Sequence, residues 1–225
     1  MTRILLTGFG AFPGAPVNPT QAIVHALATR HRQRLQRAGI DLRTAILPVV
    51  YAQVEAAIGV LLKEHNPDVV IHLGLAGRRR TISIETRARN RLSTIHPDAT
   101  HAFAPHMTIV KDGAQAIPAR WPARRMAAAA SRGGFAAHTS IDAGDYLCNQ
   151  ALYISLAHHK GLCGFIHVPR LQRNLPLAHR LRPFRRDSRA KPPALPNLCD
   201  LENAVFAAIS ELSVEHRRVL HRIGA

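Results

Sequence analysis

The segment Asp142-Ala-Gly-Asp-Tyr-Leu-Cys-Asn149 begins one helix-and-strand unit, and Gly164-Phe-Ile-His-Val-Pro169 ends it. Gly144 permits a tight turn, after which the spacing of apolar residues predicts a helix over 147–159. The apolar run that follows predicts a buried strand over 162–168, closed by a proline. Cys148 therefore starts a helix and His167 ends a strand, so the two side chains can meet at one edge of a sheet.

The rest of the chain repeats this alternation of strands and helices. Strands are predicted over 3–7, 42–50, 68–73, 81–87 and 135–140, and helices over 20–36, 51–64, 118–132 and 200–219. The alternation predicts an α/β fold in which helices cover both faces of a mostly parallel twisted sheet. We expect one α/β/α sandwich domain over 1–225, with irregular loops at about 90–116 and 170–196, because no Gly/Ser linker separates two cores.

Composition narrows the class of protein. Hydrophobic residues make up 47% of the chain, which supports a sizeable core and argues against general disorder. No apolar run approaches the roughly 18–20 residues of a membrane span. The N-terminus is too short and strand-like for a signal peptide, so we expect a cytoplasmic protein. The three cysteines form no C-x-x-C pair, which suggests free thiols.

The formal net charge is +16, and only four of the 30 cationic residues are lysines. Arginine concentrated in Ala/Arg-rich stretches is compatible with a coding bias, and no recognition motif accompanies the charge. We therefore do not expect nucleic acid to be the physiological partner. The stretch 170–191 carries eight basic residues against one acid, Asp187. It is a solvated loop, or else an anion-binding or subunit-contact surface.

Three residues are candidates for nucleophilic catalysis. Amides at a helix start can stabilise a thiolate at Cys148 and serve as an oxyanion hole, although most unpaired cysteines are small buried hydrophobes. Cys163 and Cys199 fit that second interpretation better. His167 interrupts an apolar strand, and is either a satisfied core histidine or a general base. Glu85 either orients an imidazole or forms a surface ion pair.

Two further motifs are candidate ligand sites. The loop Gly8-Phe-Gly-Ala-Phe-Pro-Gly14 lacks the G-x-G-x-x-G pattern of a nucleotide site. Its Phe9 and Phe12 are either apolar walls of a pocket or ordinary packing residues. The histidines His96, His101 and His106 recur every five residues, but no cysteine or carboxylate cluster completes a metal site, so we expect no bound metal.

In this order, the motifs resemble pyroglutamyl-peptidase I, also called pyrrolidone-carboxylate peptidase. The matching pieces include Leu5-Leu-Thr-Gly-Phe-Gly-Ala-Phe-Pro-Gly14, His72-Leu-Gly-Leu-Ala76, Ile82-Ser-Ile-Glu85, the segment 142–149 and the segment 164–169. The resemblance runs from Thr2 to Pro169, about three quarters of the chain. The joint occurrence of these motifs is specific for the family, whereas no single motif would be.

The resemblance implies an α/β/α sandwich and a cysteine exopeptidase, an omega-peptidase that hydrolyses the bond after an N-terminal pyroglutamyl residue of peptides. It assigns the catalytic roles to Glu85, Cys148 and His167, with thiolate attack and a thioester intermediate. It implies that His167 keeps the thiol ionised. It puts Phe9, Phe12, Asn18 and Leu147 at the substrate, and implies no cofactor, no metal and a homotetramer or other homo-oligomer.

The sequence departs from the family at two single positions, and its stretch 170–191 is unlike the usual family tail. Thr86 and Ile95 stand where family members commonly have arginine. These departures motivate an alternative hypothesis, a non-catalytic family member that binds pyroglutamyl or anionic ligands.

Overall fold

The computed structural model describes residues 1–12, 14–172 and 194–223. Its strands are β1 (Thr2–Phe9), β2 (Ile40–Leu47), β3 (Val69–Leu75), β4 (Ile82–Glu85), β5 (Arg87–Arg89), β6 (Ala116–Pro118), β7 (Ala137–Ser140) and β8 (Leu162–Val168). Its helices are α1 (Pro19–Ala28), α2 (Arg32–Arg37), α3 (Tyr51–His65), α4 (Ala123–Arg132), α5 (Leu147–His158) and α6 (Leu198–Ile223). Strands and helices thus alternate, as the sequence predicts.

Six strands form one sheet in the order β2-β1-β3-β8-β4-β7, and β5 pairs with β6 in a separate ribbon. All neighbours in the large sheet are parallel except β4 and β8. The strand β8 lies between β3 and β4, so His167 has Gly74 as its partner on one side and Ser83 on the other. This register places the end of β8 in the middle of the sheet.

Helices cover both faces of the sheet, and each face has its own apolar core. One core collects buried side chains from α1, α2, α4 and α6, and the other collects them from α3 and α5. Alternate residues of β8 serve the two cores: Ile166 and Val168 face the first, whereas Cys163 and Phe165 face the second. The predicted α/β/α sandwich around a mostly parallel sheet is confirmed.

Three predicted helices differ from the observed ones. The helix predicted over 20–36 is broken at Thr29, whose hydroxyl donates to the His25 carbonyl at 2.8 Å and competes with the helical pattern. The helix predicted over 118–132 begins only at Ala123, because Pro122 disfavours helical backbone before it and Arg120 bridges to Cys163. The last helix extends beyond 200–219 at both ends.

The predicted loop at 90–116 carries no helix or strand between β5 and β6. Most of the basic stretch 170–191 lies outside the described residues, and only Arg170, Leu171 and Gln172 belong to them. No helix in the described ranges combines the length and the apolar character that a membrane span requires.

Candidate active site

Cys148 is the second residue of α5, where the prediction put it. Gly144 has φ +82°, so the turn before the helix uses left-handed backbone that favours glycine. The amide of Gln150 makes the first hydrogen bond of the helix, to the Tyr146 carbonyl. Among the described residues the amides of Cys148 and Asn149 donate to no carbonyl outside the helix, and the Cys148 amide points to its own sulfur, so both amides lie where they can face an anion at the thiol.

His167 and Glu85 form a buried hydrogen bond. The ring atom Nδ1 of His167 lies 2.8 Å from Oε1 of Glu85, whose residue is fully buried. Because an ionised carboxylate can only accept, Nδ1 carries the proton and Nε2 is left as the acceptor of the ring. The carboxylate thus fixes the tautomer that a general base requires.

The sheet brings Cys148 beside His167 through a glycine. The Cys148 Sγ lies 2.7 Å from the position that a Cβ would take on Gly74, and Gly74 is the register partner of His167 in β8. Neighbouring strands are about 4.8 Å apart, so the thiol and the imidazole occupy adjacent positions. The Phe165 ring, 4.6 Å from the imidazole between centroids, packs against His167. Within the described residues no hydrogen bond joins Sγ to Nε2.

Arg79 is a fourth member of this cluster that the sequence analysis missed. Its Nη1 donates to Glu85 Oε1 at 2.6 Å, and its Nη2 donates to the carbonyl of Asp142 at 2.6 Å. Burial alone would raise the pKa of Glu85, but the hydrogen bond and charge of His167, together with Arg79, hold that pKa below its usual value. Glu85 is therefore a carboxylate at neutral pH.

The pKa of the Cys148 thiol is raised, whereas that of Glu85 is lowered. Part of Cys148 reaches the surface, but protein surrounds its sulfur, and this burial with the Glu85 charge raises the pKa of the thiol to about 12. The positive charge of Arg79 lowers that pKa and offsets part of the effect. These influences oppose ionisation of Cys148, whereas the family resemblance implies that His167 keeps the thiol ionised.

An aromatic wall lies next to the thiol. The Phe12 ring is 5.8 Å from the Tyr146 ring, which meets Tyr51 edge-on at 5.6 Å. The Tyr146 hydroxyl donates to the Pro97 carbonyl at 2.9 Å, which fastens the loop after β5 to the turn before α5. Tyr146 and Phe12 are both half-buried, so their rings offer an apolar surface two residues from Cys148.

The other predicted substrate residues have structural contacts. Phe9 and Leu147 are 3% and 1% exposed and belong to the core beneath α3 and α5. Asn18 caps α1, since its Oδ1 accepts from the Thr20 amide and its Nδ2 donates to the Gly10 carbonyl. Asn18 therefore shapes the loop that carries Phe12. Tyr146 is a further aromatic residue beside Phe12 that the sequence analysis did not single out.

Known proteins match this chain over most of its length. A family model described as pyroglutamyl peptidase covers residues 2–183. The pyrrolidone-carboxylate peptidase of Pyrococcus furiosus is 34% identical over 172 residues, which are 74% of this chain and 80% of that protein. The enzyme of that name from Pseudomonas fluorescens is 34% identical over 175 residues, 76% of this chain and 80% of its own. The chain belongs to the pyroglutamyl peptidase family.

The fold of a solved pyrrolidone carboxyl peptidase agrees with this assignment. The crystal structure from Thermus thermophilus matches with a TM-score of 0.77 at 33% identity and covers 93% of this chain and 100% of that one. The family predicted from the sequence motifs is thereby confirmed.

The two departures from the pyroglutamyl peptidase pattern lie at different places. Thr86 fastens the ends of β4 and β7, with its hydroxyl donating to the Ser140 carbonyl at 2.9 Å. Ile95 is 76% exposed in the loop after β5. That loop is held by Asp98, which accepts from the amides of Tyr51, Thr100 and Ala102. Neither departure disturbs the Glu85–His167 pair.

Proposed function

We propose that the protein is a cysteine exopeptidase that removes an N-terminal pyroglutamyl residue from peptides. Family membership supports the reaction, and one geometric observation carries the assignment of residues. Glu85 holds His167 by Nδ1, and the Cys148 sulfur lies over Gly74, the strand partner of His167. This is the order of carboxylate, imidazole and thiol that nucleophilic catalysis requires.

In the first half-reaction the Cys148 sulfur attacks the carbonyl carbon of the pyroglutamyl residue. Nε2 of His167 takes the thiol proton as the carbon–sulfur bond forms, because burial keeps the resting thiol protonated. Glu85 stabilises the imidazolium, and the amides of Cys148 and Asn149 face the developing oxyanion. The carbon–nitrogen bond then breaks, and His167 gives its proton to the leaving amine.

In the second half-reaction water attacks the thioester. His167, now neutral, takes a proton from the water, and the carbon–sulfur bond breaks. The imidazolium returns that proton to the departing sulfur, and the products are free pyroglutamate and the thiol of Cys148.

The aromatic wall suits the substrate ring. Pyroglutamyl has an uncharged five-membered lactam, which prefers apolar walls and a few hydrogen bonds from the backbone. Phe12 and Tyr146 supply such walls two residues from the nucleophile. The Asp98 carboxylate near this wall is already engaged by Thr100 and by backbone amides. The apolar rings therefore suit the uncharged lactam better than a charged N-terminal amine.

The direct test is turnover of a fluorogenic pyroglutamyl amide by the purified protein and by Cys148→Ala and His167→Ala. We expect release of the fluorophore by the wild type and loss of at least about a thousandfold in both variants. Cys199→Ala is the matched control, because Cys199 is an exposed free thiol. A folded wild type that is stabilised by pyroglutamate without turning over the amide would instead support the non-catalytic, ligand-binding alternative.

Assembly and location extend this proposal. We propose a homo-oligomer, with the homotetramer as the expected form, and a cytoplasmic location. The mass of the purified protein in solution tests the first, and fractionation of cells tests the second.

A further inference from the structure

Two arginines lie at the rim of the candidate site, beyond His167. Arg170 follows the end of β8 by two residues, and Arg78 lies in the turn after β3. The two segments are joined, because the Ala76 amide donates to the Val168 carbonyl at 2.9 Å. Both arginines are exposed. They therefore stand at the same edge of the sheet as the imidazole.

The position of the Arg170 head group on this rim is fixed by a contact with Gly77. A Cβ on Gly77 would lie 2.6 Å from Nε and 3.0 Å from Nη2 of Arg170. The guanidinium thus rests directly on the Gly77 backbone, in space that any larger residue would fill. This contact holds the head group beside the turn that contains Arg78.

These two charges are not neutralised within the described part of the chain. Arg79 is paired with Glu85, and Arg89 is paired with Asp142. Among the described residues no carboxylate lies within ion-pair distance of Arg78 or Arg170. The rim therefore presents a positive potential to whatever passes His167.

The departing peptide is what passes His167. In the proposed reaction, the imidazole protonates the leaving nitrogen, so the chain after the scissile bond must emerge on the imidazole side. An extended peptide advances about 3.4 Å per residue. On this path the first two residues after the scissile bond pass the rim that carries the two arginines.

We infer that Arg78 and Arg170 select peptides that carry a carboxylate within two residues after the pyroglutamyl group. The inference rests on the proposed peptidase function and names its preferred substrates. The carboxylate belongs to an Asp or Glu side chain or to the C-terminus of a short peptide, and the two sources share one chemistry. Exposed guanidinium–carboxylate pairs are weak individually, so we expect a preference of about three- to tenfold in kcat/KM at low ionic strength.

The test compares four peptides by the rate at which free pyroglutamate appears. They are pyroglutamyl-Glu-Ala-amide, pyroglutamyl-Gln-Ala-amide, pyroglutamyl-Gln-Ala with a free C-terminus, and pyroglutamyl-Lys-Ala-amide. We expect the wild type to prefer Glu over the isosteric Gln and to handle Lys least well. The preference should shrink at high salt, because exposed charges are screened. The arm with the free C-terminus separates the two sources of carboxylate.

The double variant Arg78→Gln/Arg170→Gln should process the Glu and Gln peptides alike while keeping the wild-type rate on the Gln-amide peptide. The matched control is Arg37→Gln/Arg124→Gln, two exposed arginines on α2 and α4, the helices of the other face. It should keep the full preference for carboxylates.

Equal rates for all four peptides in the wild type at low salt would overturn the inference and leave the peptidase assignment intact. Preference for carboxylates that survives in the double variant would also overturn it. A folded wild type that cleaves none of the peptides would overturn the peptidase assignment itself, and this inference with it.

Discussion

The Cys148 sulfur lies 2.7 Å from the position that a Cβ would take on Gly74. The candidate nucleophile therefore rests on the backbone of β3, and the strand register then sets it beside His167. The Phe165 ring approaches the same point at 2.6 Å. Gly74 is thus required by space, and the missing side chain creates the place where thiol and imidazole meet.

Replacing Gly74 with alanine should separate these groups. The added methyl cannot be accommodated without moving Cys148 or Phe165, so we expect about 1–3 kcal/mol lower stability and a fall in kcat of about a hundredfold. Both are measured on the purified variant, by urea unfolding and by turnover of a pyroglutamyl amide.

Gly59→Ala provides the control for the Gly74 substitution. Gly59 lies in α3 with nothing within 4 Å of a Cβ, so alanine should stabilise the protein by about 0.5–1 kcal/mol at unchanged activity. Equal activity of Gly74→Ala and wild type would refute the proposed position of the Cys148 sulfur over Gly74.

Arg79 should act on the chemistry through Glu85. Arg79→Met removes the 2.6 Å hydrogen bond to Oε1 and leaves a buried carboxylate with less support, at a cost of about 1–2 kcal/mol for this partly exposed pair. The pKa of Glu85 should rise in the variant. As the pH is lowered, the variant should therefore lose activity at a higher pH than the wild type does. The pH profile of kcat/KM measures this shift, and Arg79→Lys should restore part of it.

The variant Arg89→Met separates the effect of the Arg79 charge on Glu85 from the anchoring of the turn at Asp142. Arg79 binds the carbonyl of Asp142, and Arg89 binds its carboxylate at 2.6 Å, but only Arg79 also reaches Glu85. We expect Arg89→Met to leave the acid side of the pH profile unchanged. A shift of the same size in both variants would mean that the turn, and not Glu85, carries the effect.

The raised pKa of Cys148 predicts slow alkylation at neutral pH. The thiol should remain protonated well above pH 7, so its rate with iodoacetamide should rise about tenfold per pH unit without a plateau below pH 10. Mass spectrometry of the labelled peptides measures this rate. Fast labelling of Cys148 that is independent of pH between 5 and 7 would show a resting thiolate and contradict the prediction.

The sequence predicted the framework of the site because local patterns determine where strands end and helices begin. Cys148, His167 and Glu85 each close or open an element whose apolar period is clear, and all three meet at one edge. Arg79 was missed because it lies in a run of three arginines, and spacing does not tell which of them turns inward. The motif does not distinguish Phe9 from Phe12, but β1 continues to Phe9 and buries it, whereas Phe12 stays half-buried in the loop.

A buried histidine outside the catalytic cluster should govern acid stability. His72 is enclosed in β3, with Thr7 Oγ1 at 2.6 Å from Nδ1 and Ser155 Oγ at 2.8 Å from Nε2. Burial, with a smaller contribution from the charge of His159, lowers the pKa of His72 to about 3. The folded protein therefore holds this ring neutral over the pH range in which the unfolded chain takes up a proton.

The sign of the pH effect follows from that difference. The unfolded histidine binds its proton near pH 6.5, so His72 stabilises the fold fully above that value. Between about pH 6.5 and 3 the free energy of unfolding should fall by about 1.4 kcal/mol per pH unit on account of this one group. The measurement is urea unfolding of wild type and His72→Gln at pH 4, 5, 6 and 7. The free energy of unfolding should depend less steeply on pH in the variant, by the slope of about 1.4 kcal/mol per pH unit that one proton contributes. The same slope in both proteins would mean that His72 is protonated in the fold.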